Sequence, residues 1–327
     1  MYYFCTYFDS NYLTRGLALH ESLCRHANPF HLWILCLDDS SFYILSKYKL
    51  LNVSLIKLSA IEEWDSRLSQ AKKTRSIIEY YFTLSPFLPS YILRTNSQVD
   101  LVTYLDADLY FYSNVGPIFE EMHSNSILII GHNFSSKNVN REKYGLYNVG
   151  FLSFRRDRYA EQCLKWWQLK CLDSCTNSLD AGTYADQKYL DKWPELFENV
   201  SILQNKGANV APWNLDRYKI RHINGEIFID DSRLIFYHFH DLHRLHATFY
   251  LTGLQKYSMR LNRTTAKYLY TPYIKKINSF GIETPVRDVK IVKTANSIKY
   301  RLQNLNSYKF LRNLKWYLKG EGVFIKL

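Results

Sequence analysis

Residues 101–111 read LVTYLDADLYF. An uninterrupted run with no polar face leads into Asp106, and Asp108 follows at i+2. A run apolar on both sides is a strand covered on both faces, which implies helices above and below a parallel sheet. Working outward from this run, the same pattern recurs. Toward the N-terminus, 2–8, 31–37 (HLWILCL) and 53–58 read as strands. Helical periods at 11–26, 40–51 and 75–84, and a short helix after Pro86, separate them from one another and from 101–111. On the other side, ILII at 127–130, GFLSF at 150–154 and LIFYHF at 234–239 read as strands, with helices at 157–172 and 184–193. The predicted class is α/β, a mostly parallel sheet flanked by helices.

The chain has 327 residues, 47% hydrophobic and 22% charged, which suits a folded protein and excludes collagen, coiled coil and disordered tail. No stretch approaches the roughly 18 uncharged apolar residues that a membrane span needs. The opening MYYFCTYFDSNY has no basic start and no small-residue cleavage site, so no secretory signal is expected. Six cysteines sit mostly in apolar runs without a CxxC pair and read as reduced core thiols, Cys171 and Cys175 being the closest pair. Gly and Pro are sparse and no linker or repeat interrupts residues 1–246.

Net charge is +12, with 42 Lys+Arg against 30 Asp+Glu. From Ala247 onward there are 16 basic residues and only 3 acidic ones, Glu283, Asp288 and Glu321. Residues 1–246 are therefore close to neutral. The division predicts a near-neutral α/β domain at 1–246 and a basic helical region at 247–327, with an amphipathic helix over 296–319. A basic, aromatic-bearing region of this kind suits an anionic membrane surface, with Trp316 and Phe324 at the interface, or serves as a structural cap.

Ligands in open α/β sheets collect at the carboxyl ends of the strands, so polar residues that follow apolar runs are the candidates. Asp106 and Asp108 leave a buried strand on the same side, and two hard oxygen ligands at this spacing suit Mg²⁺ or Mn²⁺ bridging to a diphosphate. Residues 233–246, RLIFYHFHDLHRLH, deliver His238 and, on the same side, His240 as candidate metal ligands. Asn148 in YNVGF, Asp186 and Gln187 in YADQKYL, and Asn209, Trp213 and Asn214 in GANVAPWN are groups that hydrogen-bond sugar hydroxyls or stack on sugar rings. No GxGxxG, GxxxxGK[ST], GxSxG or HExxH occurs, which disfavours a glycine phosphate loop and serine hydrolysis.

In this order, the motifs resemble the GT-A-fold glycosyltransferases, most closely glycosyltransferase family 8, over about residues 1–246. That family includes bacterial lipopolysaccharide galactosyl- and glucosyltransferases and glycogenin. The resemblance implies that Tyr7, Asp9, Asn11 and Tyr12 hold the nucleoside of a nucleotide-sugar donor, a UDP-sugar favoured. It implies that Arg75 reaches the donor, that Asp106 and Asp108 bind Mn²⁺ or Mg²⁺ with His238 (His240 as alternative), and that Asn148 faces the donor sugar. Asp186 and Gln187 are then placed beneath the anomeric carbon, and Arg244 stands for a Lys that clamps the diphosphate. Asp241 replaces a family Gly, and Lys188 replaces an Asp.

The implied reaction moves a hexose to a hydroxyl of a cell-surface glycan or lipid-linked oligosaccharide, with retention of configuration. Arg244, Arg75 and Lys206 would supplement the metal's charge. Asn209, Trp213 and Asn214 are assigned to the acceptor. An inverting enzyme would need only one base, and Asp180, Asp186 or Asp191 could serve. The implied location is cytoplasmic, peripheral on the inner face of the cell membrane. A non-catalytic nucleotide-sugar or glycan-binding relative is the alternative; a nucleic-acid binder using the basic region is disfavoured by the near-neutral 1–246, and a nucleotidyltransferase by the absence of glycine in residues 1–10.

Overall fold

The computed structural model describes residues 1–179, 182–246, 248–282 and 306–325. Asp180, Ala247 and the first part of the helix expected at 296–319 lie outside the described residues. The strands are β1 (Tyr2–Phe8), β2 (Phe30–Cys36), β3 (Val53–Lys57), β4 (Leu101–Leu105), β5 (Leu109–Phe111), β6 (Ile127–Gly131), β7 (Tyr147–Arg155) and β8 (Val200–Leu203). They continue with β9 (Ile220–Ile223), β10 (Glu226–Ile229), β11 (Ser232–Arg233), β12 (Phe236–His238), β13 (His243–His246), β14 (Phe249–Leu251) and β15 (Gly322–Phe324).

Seven strands form the central sheet in the order β3-β2-β1-β4-β7-β6-β8. The neighbours β1, β2, β3 and β4 pair in parallel, while β7 runs antiparallel to both β4 and β6. Alternate residues feed two separate cores, as a sheet with both faces covered requires. Cys5, Trp33, Tyr104 and Leu152 join one layer; Phe4, Leu32, Leu105 and Phe151 join the other. Each such side chain contributes roughly 1.5–3 kcal/mol on burial.

Sequence periodicity and structure part in three places. The stretch 184–193 is not one α-helix. Ala185 has φ +48, and a 3-10 turn at Lys188–Lys192 passes into the short helix Trp193–Leu196, where Pro194 begins a new turn. The stretch at 234–239 forms a strand, but outside the central sheet: β12 pairs antiparallel with β5, setting His238 opposite Leu109, and Tyr237 bridges Val210 in parallel. The region beyond 247 is not purely helical, since β13, β14 and β15 form a small sheet. A hairpin of β9 and β10 also turns on Asn224-Gly225, both at positive φ, a dipeptide suited to such turns.

A third core joins residues on both sides of 246. Tyr237 and Phe239 pack with Tyr250, Tyr273, Ile277, Val323 and Ile325. The rings of Phe239 and Tyr273 lie parallel, 3.7 Å apart at 5°. This core backs the β5–β12 ribbon and fixes where the ribbon's end points.

Candidate active site

The carboxyl end of β4 turns sharply into β5. Asp106 donates its amide to the Gly150 carbonyl (3.0 Å), and the Leu109 amide donates back to the Asp106 carbonyl (3.2 Å). Beside it, the Phe239 amide donates to the Asp108 carbonyl (3.0 Å), locking the ribbon onto the turn. His238 Nε2 consequently lies 3.0 Å from Asp108 Oδ1 and 3.6 Å from Asp106 Oδ2. Among the described residues, Asp108, His238 and His240 form a group whose ligand atoms all lie within 4.8 Å of one another. Both histidines of the sequence motif thus converge on the carboxylates, where alternation along an extended strand places them.

Electrostatics at this cluster is set by burial and mutual pairing. Burial works against a charged Asp108, yet the His238 imidazole beside it outweighs that and holds its carboxyl below the usual range. At Asp106 burial prevails over the pull of His238, and the Asp108 charge adds to it, so this carboxyl is raised. Burial also opposes charge on His238, but Asp108 and then Asp106 raise its pKa. Tyr104 donates its hydroxyl to Asp106 Oδ1 at 2.9 Å. Two carboxylate oxygens and two imidazoles that crowd together, some buried, suit a divalent cation by number and donor type.

A cavity of about 550 Å³ opens beside the cluster and is lined by Tyr7, Asp106, Asn148, Asp186, Gln187, Trp213, His238 and His240, among others. Its floor is a hydrogen-bond chain. The Ser85 hydroxyl donates to Asp186 Oδ2 (2.5 Å), which leaves the Tyr7 hydroxyl to donate to Ser85 Oγ (2.9 Å). Burial, opposed by the Ser85 bond and reinforced by the Asp106 charge, pushes Asp186 up to about 7. Asn148 donates to Gln187 Oε1 (3.3 Å), and Gln187 donates to the Tyr144 carbonyl (3.1 Å). Gly150 is required here, because a Cβ would lie 2.6 Å from Asn148 Oδ1 and 2.9 Å from His238 Cε1.

Asp9, Asn11 and Tyr12 lie outside this cavity but at the same sheet edge, directly after β1. Asp9 caps the turn Ser10–Tyr12 by accepting from the Asn11 amide (3.0 Å) and side chain (3.0 Å). Tyr12 is partly exposed, with the Arg15 guanidinium 4.4 Å over its ring.

Other expected residues are engaged elsewhere. Arg75 does not line the cavity; its guanidinium donates to the carbonyls of Cys171 (2.6 Å) and Leu172 (2.6 Å) and to Thr83, tying down the end of helix Arg158–Asp173. Asn214 donates to the carbonyls of His132 and Asn209, and Asn209 donates to the Gly131 carbonyl, so both are internal braces, each 1% exposed. Trp213 alone of that trio lines the cavity, its ring edge-on to His238 and His240. Arg244 lies on β13 opposite Tyr250 and Lys206 pairs with Asp230 at 3.5 Å; neither lines the cavity. Asp191 accepts from the Leu146 amide and pairs with Lys188.

The structure also brings in residues not singled out from the sequence: His132, Arg141, Tyr144, Lys256 and Tyr257 line the cavity, as does Tyr184, which opens the YADQKYL motif. Burial drives His132 down to about 3, a neutral ring stacked on Phe134 at 4.7 Å. Lys256 pairs with Asp241 at 2.6 Å, which also holds His243. The six cysteines form no disulfide.

Two curated proteins of Bacillus subtilis (strain 168) are similar to this chain. The uncharacterized protein YfnF is 34% identical over 244 residues, covering 72% of this chain and 80% of YfnF. The uncharacterized protein YfnD is 30% identical over 281 residues, covering 84% of this chain and 88% of YfnD. No family model matches the chain. Among solved structures, the galactosyltransferase LgtC in complex with donor and acceptor sugar analogs superposes with a TM-score of 0.52 at 12% identity, covering 91% of this chain and 99% of LgtC. An active-site mutant of LgtC gives 0.53 at 11% identity, with the same coverage. The architecture is the GT-A fold of those glycosyltransferases.

Proposed function

From the premise that this chain belongs to the family of the Bacillus subtilis proteins YfnF and YfnD and has the GT-A fold, we propose that it is a metal-dependent glycosyltransferase. It moves a hexose from a nucleotide-diphosphate sugar, a UDP-sugar favoured, to a hydroxyl of a cell-surface glycan or lipid-linked acceptor, with retention as in glycosyltransferase family 8. One observation carries the reading: Asp106, Asp108 and His238 meet beside a cavity lined by Asn148, Asp186 and Gln187.

Asp106, Asp108 and His238 would hold Mn²⁺ or Mg²⁺, with His240 as a further ligand. When bound, the ion supplies charge that neutralises the leaving diphosphate. Around it, Tyr7, Asp9, Asn11 and Tyr12 hold the nucleoside side of the donor, and Asn148 orients its sugar. Glycosyl transfer builds positive charge at the anomeric carbon, and an ionised Asp186 with the Gln187 carbonyl oxygen supports that charge. Arg244 is the cation proposed for the diphosphate. Trp213 faces the acceptor.

Attachment to the inner face of the cell membrane rests on the charge concentrated beyond residue 247. No described helix is long and apolar enough to cross a membrane. On helix Asn306–Leu318, Tyr317 and Leu318 are exposed next to the exposed Lys315 and Lys319, whereas Trp316 stacks on Phe249. Lys315→Glu with Lys319→Glu is expected to weaken co-sedimentation with anionic vesicles at low salt; unchanged sedimentation refutes the attachment.

The catalytic reading is tested by thermal shift with UDP, GDP and CDP, each with and without Mn²⁺. Stabilisation by one diphosphate only when metal is present supports the reading; no response to any of them overturns it. The anomeric configuration of the product, read by NMR, tests retention.

A further inference from the structure

The cavity has a second wall that donor and metal leave unused. It is aromatic: Tyr144 and Tyr184 meet edge-on at 4.9 Å, and Tyr257 packs against Trp213 at 6.1 Å. Such faces stack on the apolar side of a pyranose ring. Trp213 is 2% exposed, and no described residue accepts its indole N–H. A buried donor left unpaired is costly unless a ligand satisfies it.

Arg141 lies in the same wall, its guanidinium 4.6 Å over the Tyr257 ring, and it donates to the Lys256 carbonyl. Two long cationic side chains line the cavity, and they differ. Lys256 is neutralised by Asp241. Arg141 forms no ion pair with any described carboxylate, the nearby chain offering it only a carbonyl and a ring face. A planar guanidinium presented this way is suited to a carboxylate or phosphate, which it can grip with two parallel bonds.

Resting on the transferase reading, we propose that this wall is the acceptor subsite and that Arg141 selects acceptors whose terminal sugar carries a negatively charged group. The sugar ring lies against Tyr144, Tyr184 and Tyr257, its anionic substituent pairs with Arg141, and Trp213 donates to a ring or hydroxyl oxygen. A neutral sugar leaves Arg141 unpaired and binds more weakly.

The probes are p-nitrophenyl β-glucuronide, glucose 6-phosphate and the neutral p-nitrophenyl β-glucoside, titrated calorimetrically at low salt. At least one anionic probe is expected to bind about tenfold or more tightly than the glucoside. Whichever anion wins separates a carboxylate from a phosphate acceptor. Arg141→Gln is expected to abolish the preference, and Arg141→Lys to keep part of it. Equal affinity for all three probes in the wild type, or a preference that survives Arg141→Gln, overturns the proposal. Should Arg141→Gln fail to fold, Arg141→Lys and the loss of the preference in molar salt decide the same point. Repeating the titration with UDP and Mn²⁺ present should leave the anionic probe bound; its displacement overturns the subsite and makes Arg141 a diphosphate contact. A wild type that ignores UDP and Mn²⁺ but keeps the charge preference defeats the transferase reading and leaves the anion-selective site standing.

Discussion

His238 Nε2 and Asp108 Oδ1 lie 3.0 Å apart although they come from different halves of the chain, brought together because β12 pairs with β5. Nothing in a local helix or hairpin forces this approach. It follows from the antiparallel register that sets His238 opposite Leu109 and from the Phe239 amide bonded to the Asp108 carbonyl. The first prediction follows from it. Asp108→Ala and His238→Ala should each remove most of the Mn²⁺-dependent thermal stabilisation by a nucleoside diphosphate, a response of about 2.7 kcal/mol when ligand is a hundredfold above its Kd. A full response in either variant would dissociate the cluster from metal binding.

Gly150 permits that approach. Its missing side chain is the space that Asn148 Oδ1 and His238 Cε1 fill at 2.6 and 2.9 Å from the ideal Cβ position. Gly150→Ala should destabilise the fold by about 1–3 kcal/mol, the usual cost of overpacking. It should also weaken the Mn²⁺ response, since His238 is one of the ligands proposed above. A variant with unchanged melting temperature and metal response would show that the strand shifts freely.

Asp186 makes stability depend on pH. Its folded pKa of about 7 lies above the unfolded value of 3.8 because burial favours the neutral acid. The protonated form therefore favours folding, a contribution complete below the unfolded pKa and lost as pH rises through 7. Asp186→Asn keeps a neutral side chain and should lose this term. Relative to wild type in metal-free buffer, its stability should rise between pH 4 and pH 8 by about 2–4 kcal/mol. Parallel melting curves across that range would contradict the assignment. Turnover should fall in the same variant, as the ionised carboxylate is the form proposed to act.

Val323 and Ile325 are each 4% exposed within the core that carries Tyr237 and Phe239. Ile325→Ala should cost about 2–5 kcal/mol, as large-to-small core changes do. The loss should appear in denaturant midpoints, and a change below 0.5 kcal/mol would mean that the segment around β15 is an ornament on the fold. Because β15 is part of the core, truncation there tests stability before it tests membrane binding.

How much of this was legible beforehand follows from particular residues. The buried strands at 2–8, 31–37 and 101–105 are runs with no polar face, so their pairing into a two-sided sheet was readable. Asp106, Asp108 and the two histidines end such runs, and period-two alternation places them together. Arg75 illustrates a different outcome: its position before a capped helix is visible, but its hydrogen bonds run to a helix end nearly a hundred residues away, which no local pattern encodes. Asn209 and Asn214 look like sugar ligands by residue type, yet backbone carbonyls hold their amides. Arg141 and Tyr144 sit on the 3-10 turn Val139–Tyr144, and Lys256 and Tyr257 on Leu254–Tyr257, short irregular pieces whose periodicity carries no signal.

All seven strands of the central sheet lie within residues 2–203, so that layer has every backbone partner it needs once this part of the chain has left the ribosome. The ribbon that carries His238 is packed against a core that closes only when Val323 and Ile325 arrive. During translation the chain therefore passes through a long interval in which a nearly finished sheet carries an unsupported histidine arm. Over that interval a ribosome-bound chain should hold the sheet edge after β1 in place while the Asp108–His238 cluster is still forming, so the cluster is completed late.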